Sequence, residues 1–182
     1  MSMDAIDAGL VERTLAGERS AYEALVARHL ARARAVASAI LNDPSADDAV
    51  QEGFIKAYDR LGELSAPGRF GAWVVAIIRN EAIALRRRRA RETPLSIAQA
   101  APLPEPDDDE RVIVVRRHMP RLNDDQRAIL ALRYEAGCDA ESIAQTLGIS
   151  VAAAEKRLQR AKLALQALVE RDPEWPHRRS WP

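Results

Sequence analysis

Apolar residues recur at helical spacing along most of this chain. Tyr22, Leu25, Val26, His29, Leu30, Ala33, Val36, Ala37, Ile40 and Leu41 follow a 3.6-residue period, which predicts an amphipathic helix with His29 on its core face. Asn42-Asp43-Pro44 should stop that helix, because proline has no N–H to donate and its ring clashes with the preceding turn. Ser45 is then expected to cap the next helix, with Asp48 completing a capping box. That helix should bury Val50, Phe54, Ala57, Tyr58 and Leu61 and present Asp47, Asp48, Gln51, Glu52, Lys56 and Asp59 to solvent. After a loop over 62–68, Phe70, Trp73, Val74, Ile77, Ile78, Ala82 and Leu85 mark a third helix running into an arginine block. Strand-like alternation is missing, so the fold class is all-α.

Pro94, Pro102, Pro104 and Pro106 break the pattern and mark a linker at 92–109 between an N-terminal module (1–91) and a C-terminal one (110–171). In the second module a helix should run from Glu110 to about Met119, and Asn123 with Gln126 reads as a capping box for the next. That helix carries Ile129, Leu130 and Leu132 and ends near Gly137. Ile143-Ala144, Leu147-Gly148-Ile149 and a Ser150 cap then give the order of a helix-turn-helix: a small residue for close approach, a glycine for the turn, and a plug between the helices. The second helix, from Val151 to about Glu170, would present Ala152, Ala153, Glu155, Lys156, Gln159 and Arg160. The tail over 172–182 should be irregular.

Charge sharpens this outline. The chain carries 27 basic and 27 acidic residues, yet their order is uneven. Arg69, Arg79, Arg86, Arg87, Arg88, Arg89 and Arg91 precede a stretch holding Glu92, Glu105, Asp107, Asp108, Asp109 and Glu110 without any Lys or Arg. Clustered guanidiniums at the end of a helix suit phosphates, and Asn80 beside Arg79 suits base edges or backbone. Acids on the second helix would repel a phosphate backbone, so they point to a protein partner. A lone cysteine, Cys138, excludes an internal disulfide. No secretory signal or membrane-length apolar run is visible, so a cytoplasmic location is expected. Phosphate-binding and hydrolase motifs and histidine pairs at metal-ligand spacing are missing, and no enzyme activity, cofactor or metal is expected. The acid run 107–110 reads as solvated linker.

Three segments together resemble a family. Ser45-Ala46-Asp47-Asp48-Ala49-Val50-Gln51-Glu52 through Tyr58 resembles region 2.2 of sigma factors. Phe70-Gly71-Ala72-Trp73-Val74 through Arg79-Asn80 and on to Arg91 is similar to regions 2.3 and 2.4, and the helix-turn-helix is similar to region 4. Two modules with little between them resemble the extracytoplasmic-function (ECF) subfamily, so the chain is expected to pair a region 2-like with a region 4-like helical domain.

The resemblance implies promoter-specific transcription initiation with core RNA polymerase. Asp47, Asp48, Gln51, Glu52 and Lys56 would meet the β′ clamp helices, with the β subunit a further contact. Ser65, Arg69, Phe70, Trp73, Arg79, Asn80, Arg86, Arg87, Arg88 and Arg89 would serve the −10 element, and the loop over 62–69 would hold a flipped base. Ser150, Ala153, Lys156, Arg157, Gln159 and Arg160 would serve the −35 element. The acidic linker would run through a basic polymerase channel. An anti-sigma factor is a further implied partner. Ala84 stands where the family often has Asp, and Ala153-Ala154-Glu155 where Thr-Val-Lys is common, which removes phosphate or base contacts. A second function compatible with that weakened helix is a mimic that sequesters an anti-sigma factor without touching DNA.

Overall fold

A computed structural model describes residues 3–92 and 110–175. The proposed linker, apart from Glu92, lies outside the described residues, as does the tail after Trp175. Among the described residues the regular elements are all helical: α1 (Met3–Leu15), α2 (Arg19–Leu41), α3 (Ser45–Asp59), α4 (Phe70–Glu92), α5 (Glu110–His118), α6 (Asp124–Tyr134), α7 (Ala140–Leu147) and α8 (Val151–Val169). Short 3-10 turns stand at Leu61–Glu63, Pro67–Arg69 and Met119–Arg121.

Helices α2, α3 and α4 pack on one another around Leu25, Val36, Ile40, Val50, Val74 and Ile78. The α3–α4 crossing is close because Gly53 lacks a side chain. A Cβ there would lie 2.3 Å from Ile78 Cγ1 and 3.1 Å from Ile78 Cα. Asn42 adopts a left-handed conformation (φ 53°) and ends α2, as expected. The cap of α3 differs from expectation. Helix α3 already begins at Ser45, and it is Asp43 whose carboxylate accepts from the Ser45 N–H, 2.8 Å away, and from its hydroxyl. Asp43 precedes the first turn by two residues, so its side chain reaches an orphan N–H that the Ser45 hydroxyl cannot.

Helix α1 was not foreseen. Its buried positions are Asp7, Val11 and Thr14, a stripe too polar to read as a core face. Asp7 is buried because α2 supplies its partners: Arg28 Nε at 2.9 Å and His29 Nε2 at 2.8 Å. Burial works against its charge, but the hydrogen bonds and charges of His29, then Arg28, hold its pKa below the usual carboxylate value. His29 is a core residue, as its helix face foretold.

In the second module α8 packs against α5, α6 and α7. The capping box is present: Asn123 accepts from the Gln126 N–H at 2.9 Å, and Gln126 accepts from the Asn123 N–H at 3.1 Å. Gly148 takes φ 65° at the turn and Ser150 caps α8. Asp139 caps α7. The tail begins as turns, yet it is packed in place. Asp172 accepts from His118 Nε2 at 2.7 Å, and Trp175 is buried.

The two modules pack against each other, α6 on α2 and α7 on α4. This explains why Ala35, Val36 and Ala37 are buried in succession, which a helix covered on one side cannot achieve. One face of α2 meets α3 and α4 while another meets α6.

Candidate functional site

Helix α3 presents Asp47, Asp48, Gln51 and Glu52 to solvent and leaves Lys56 half-buried. Asp47 pairs with Arg34 of α2 at 2.9 Å. Lys56 bridges two acids, Glu81 of α4 at 2.7 Å and Glu52 at 3.3 Å, and Glu81 first, then Glu52, raises its pKa. Beside this face runs an apolar groove of about 710 Å³ between α2 and α3. Tyr22, Val26, Leu30, Phe54, Ile55 and Tyr58 form much of its lining. The helical period predicts a buried Tyr58, but the residue is 49% exposed. Its ring meets Tyr22 edge-on with centroids 4.8 Å apart, and the Tyr22 hydroxyl donates to the Phe54 carbonyl. The groove was missed because period alone does not reveal how wide a buried stripe is.

The residues assigned to the −10 element divide by depth. Ser65 and Arg69 are exposed around the turn before α4, and Trp73 is half-buried. Phe70 is fully buried, its ring 5.5 Å from that of His29 and 6.3 Å from that of Tyr22. Phe70 therefore leaves the set of direct DNA contacts, because it opens α4 pointing into the core. Along α4, Asn80 and Arg87 to Arg89 are exposed, while Arg79 and Arg86 are half-buried. Arg89 pairs with Asp43 at 2.8 Å.

Arg79 and Arg86 are engaged by the other module. Arg86 makes a bidentate pair with Asp124 of α6, at 2.5 and 2.6 Å, and Arg79 meets Asp125 at 2.6 Å. The Arg86 hydrogen bonds hold the Asp124 carboxyl below its usual range, and Asp124 in turn raises the Arg86 pKa. Arg127 also reaches Asp124, at 2.5 Å, but burial lowers the Arg127 pKa.

On α8, Ser150 accepts from the Ala153 N–H at 3.2 Å and Ala153 is half-buried. Lys156, Arg157, Gln159 and Arg160 are exposed, whereas Ala154 is buried in the core. The structure brings these residues beside those assigned to the other element. Arg79, Asp125, Arg157 and Arg160 line one cleft of about 330 Å³. Arg69 and Ser150 line another of about 250 Å³, together with Asp7, His29 and Thr146.

Among the described residues no helix is long and apolar enough to cross a membrane, and no group of three or more His, Cys, Asp or Glu side chains is placed to hold a metal ion.

Comparison with known proteins adds to this geometry. Residues 25–92 match the family model for Sigma-70 region 2, and residues 114–165 match Sigma-70, region 4. The probable RNA polymerase sigma factor RfaY of Xanthomonas campestris pv. campestris is 35% identical over 182 residues, covering 91% of this chain; the chain spans 45% of that relative's length. The RNA polymerase sigma factor CnrH of Cupriavidus metallidurans is 30% identical over 190 residues, covering 96% of this chain and 100% of the relative. In structure, CnrH in complex with the cytosolic domain of CnrY superposes with a TM-score of 0.60 at 27% identity, covering 92% of this chain and 99% of that one.

Proposed function

Because the chain belongs to the ECF sigma factors of the sigma-70 family, we propose that it binds core RNA polymerase and directs it to specific promoters. The carrying observation is the separation of two chemically different surfaces on one helical module. Helix α3 offers exposed acids beside an apolar groove, and α4 offers a row of arginines with Asn80. The first surface suits a protein partner that supplies basic and apolar side chains. The second suits a phosphate backbone, because guanidinium groups neutralise phosphates without regard to sequence.

In this reading Asp47, Asp48, Gln51, Glu52 and Lys56 meet the polymerase clamp, with Ile55 and Tyr58 supplying apolar contact. Ser65, Arg69, Trp73, Arg79, Asn80 and Arg86 to Arg89 serve the −10 strand, where a half-buried Trp73 offers a ring edge for stacking. Lys156, Arg157, Gln159 and Arg160 serve the −35 duplex from the exposed face of α8, in the manner of a recognition helix entering the major groove. Ser150 sets where that helix starts. The region 2-like domain is 1–91, the linker 92–109 and the region 4-like domain 110–171. Residues Asp172–Trp175 add a packed turn to the latter. An anti-sigma factor is a further partner in this reading, and the site of action is the cytoplasm.

The test is core binding by Asp48→Arg combined with Glu52→Arg. Both side chains are exposed, so the variant should keep its helical circular dichroism while its retention by immobilised core polymerase falls at least tenfold. Unchanged retention would refute the assignment of α3.

A further inference from the structure

We propose that α1 is the support of the loop over 62–69, and that Asp7 and Gly68 are positioning residues through which α1 fixes the shape of that loop for one base of the −10 strand. The inference rests on the reading of Ser65 and Arg69 as −10 contacts. It concerns an element outside residues 25–92, the segment that matches Sigma-70 region 2.

The loop has little regular structure of its own. Two 3-10 turns, Leu61–Glu63 and Pro67–Arg69, bracket Leu64, Ser65 and Ala66. Leu64 and Ala66 are extended, and Ser65 and Ala66 are exposed. The Leu64 N–H donates to the Leu61 carbonyl at 3.2 Å, and the Arg69 N–H donates to the Ala66 carbonyl at 2.8 Å. Short local turns with an exposed tip keep one shape only when a rigid neighbour holds them.

Helix α1 is that neighbour, since it packs on both turns and on α4. At the second turn the approach reaches the backbone. A Cβ on Gly68 would stand 2.9 Å from the Asp4 carbonyl oxygen and 3.2 Å from the Asp4 Cβ. Gly68 is not in the left-handed region, so this glycine serves close approach rather than a special turn. A second hold runs through the core. The Asp7 carboxylate accepts from Arg28 Nε at 2.9 Å and pairs with His29 Nε2 at 2.8 Å. The His29 ring in turn lies against the start of α4. A Cβ on Gly71 would stand 2.6 Å from His29 Cε1, and the Phe70 ring is 5.5 Å away between centroids. Arg69 is therefore fixed from both sides: Gly68 rests on α1, and Phe70 and Gly71 rest on a ring that α1 orients.

A flipped base costs unstacking energy, which a pocket offsets best when its shape exists before the base arrives. If α1 lets go, the loop still carries Ser65 and Arg69, and the arginines of α4 still attract the strand. Phosphate contacts carry no sequence information, so the loss falls on the choice of base.

The experiment is transcription by core polymerase and the full chain on a fragment from which they initiate, and on templates with each −10 and −35 base substituted in turn. With the native chain, substitution at one −10 position should lower transcription about tenfold or more. With Asp7→Ala, and separately with Gly68→Ala, the same substitution should lower it only about threefold or less, because the pocket is no longer preformed. The effects of −35 substitutions should stay as in the native chain. Asp7→Asn should keep the native discrimination, because its amide can accept from Arg28 and donate to His29 Nε2. Circular dichroism at the assay temperature checks that each variant is folded, and either alanine variant alone decides. A variant that merely loses stability yields less transcript from every template with the ratios unchanged. Unchanged ratios, or equal losses of discrimination at −10 and −35, would overturn the role of α1 while native initiation leaves the sigma-factor reading intact. Failure of the native chain to initiate would overturn that reading, and this inference with it.

Discussion

Replacing Asp7 with Ala removes the carboxylate that ties α1 to α2, and its cost follows from the groups left behind. Asp7 and His29 side chains are 3% and 2% exposed, and their hydrogen bond is 2.8 Å long. Among the described residues His29 Nδ1 has no hydrogen-bond partner, so loss of Asp7 leaves the buried ring with neither nitrogen satisfied. A buried hydrogen bond to a charged group contributes about 1.5–3 kcal/mol. Arg28 is 30% exposed and turns to water when its partner goes, so its share is under about 1 kcal/mol. The sum is about 2–4 kcal/mol. In a chain of this size each kcal/mol moves Tm by roughly 2–4 °C, so a loss of about 4–16 °C is expected in calorimetry at pH 7. The pH dependence has a definite sign. Because the folded pKa of Asp7 lies below its unfolded value, its contribution is complete above about pH 4 and is lost as pH falls through the folded value. The gap in Tm between native and Asp7→Ala protein should therefore hold from neutral pH down to about pH 5 and narrow below pH 4. A shift under about 2 °C at pH 7, or a gap that does not narrow in acid, would show that the pairing is worth little.

Gly53→Ala should lower Tm even though alanine favours helix by about 1 kcal/mol, because overpacking of this kind costs about 1–3 kcal/mol and the new Cβ would stand 3.1 Å from backbone Ile78 Cα as well as 2.3 Å from its Cγ1. A raised Tm would mean that α3 and α4 separate easily. Asn123→Ala removes the cap of α6 and should lower the urea midpoint by the equivalent of about 1 kcal/mol. An unchanged midpoint would mean that the capping box contributes nothing to the stability of α6.

Local chemistry was the part of the fold most open to reading. Gly148, Ser150, Asn123 and Gln126 act within a few residues of themselves, so their spacing alone located the turn and the caps. The helices built on an apolar stripe, α2 and α4, were legible for the same reason. What depends on distant partners was not. Helix α1 hides a carboxylate that is tolerable only because Arg28 and His29 come from another helix. Tyr58 sits at a core-like spacing but opens into a groove, since none of the described residues covers that edge of α3. Phe70 belongs to a motif associated with DNA, yet its ring packs between His29 and Tyr22. The packing of α6 on α2 left only the trace Ala35-Val36-Ala37, and small residues in succession do not announce a second face in an alanine-rich helix.

Within the candidate site, charge type was readable and engagement was not. The arginine row and the acids of α3 stand out as runs in the sequence. That Arg86 and Arg79 are already paired follows only once Asp124 and Asp125, many residues away, are brought beside them. At the start of α6 these acids are also favourable in a first helical turn, so their position alone does not reveal the pairing.

Promoter-directed initiation is the decisive property of this protein. Purified core polymerase, incubated with this chain and genomic DNA fragments, should yield transcripts that begin at discrete sites sharing upstream sequence, and neither component alone should do so. Core enzyme that initiates nowhere in the presence of the folded chain, or only where it initiates by itself, would contradict the assignment of promoter-directed transcription to this protein.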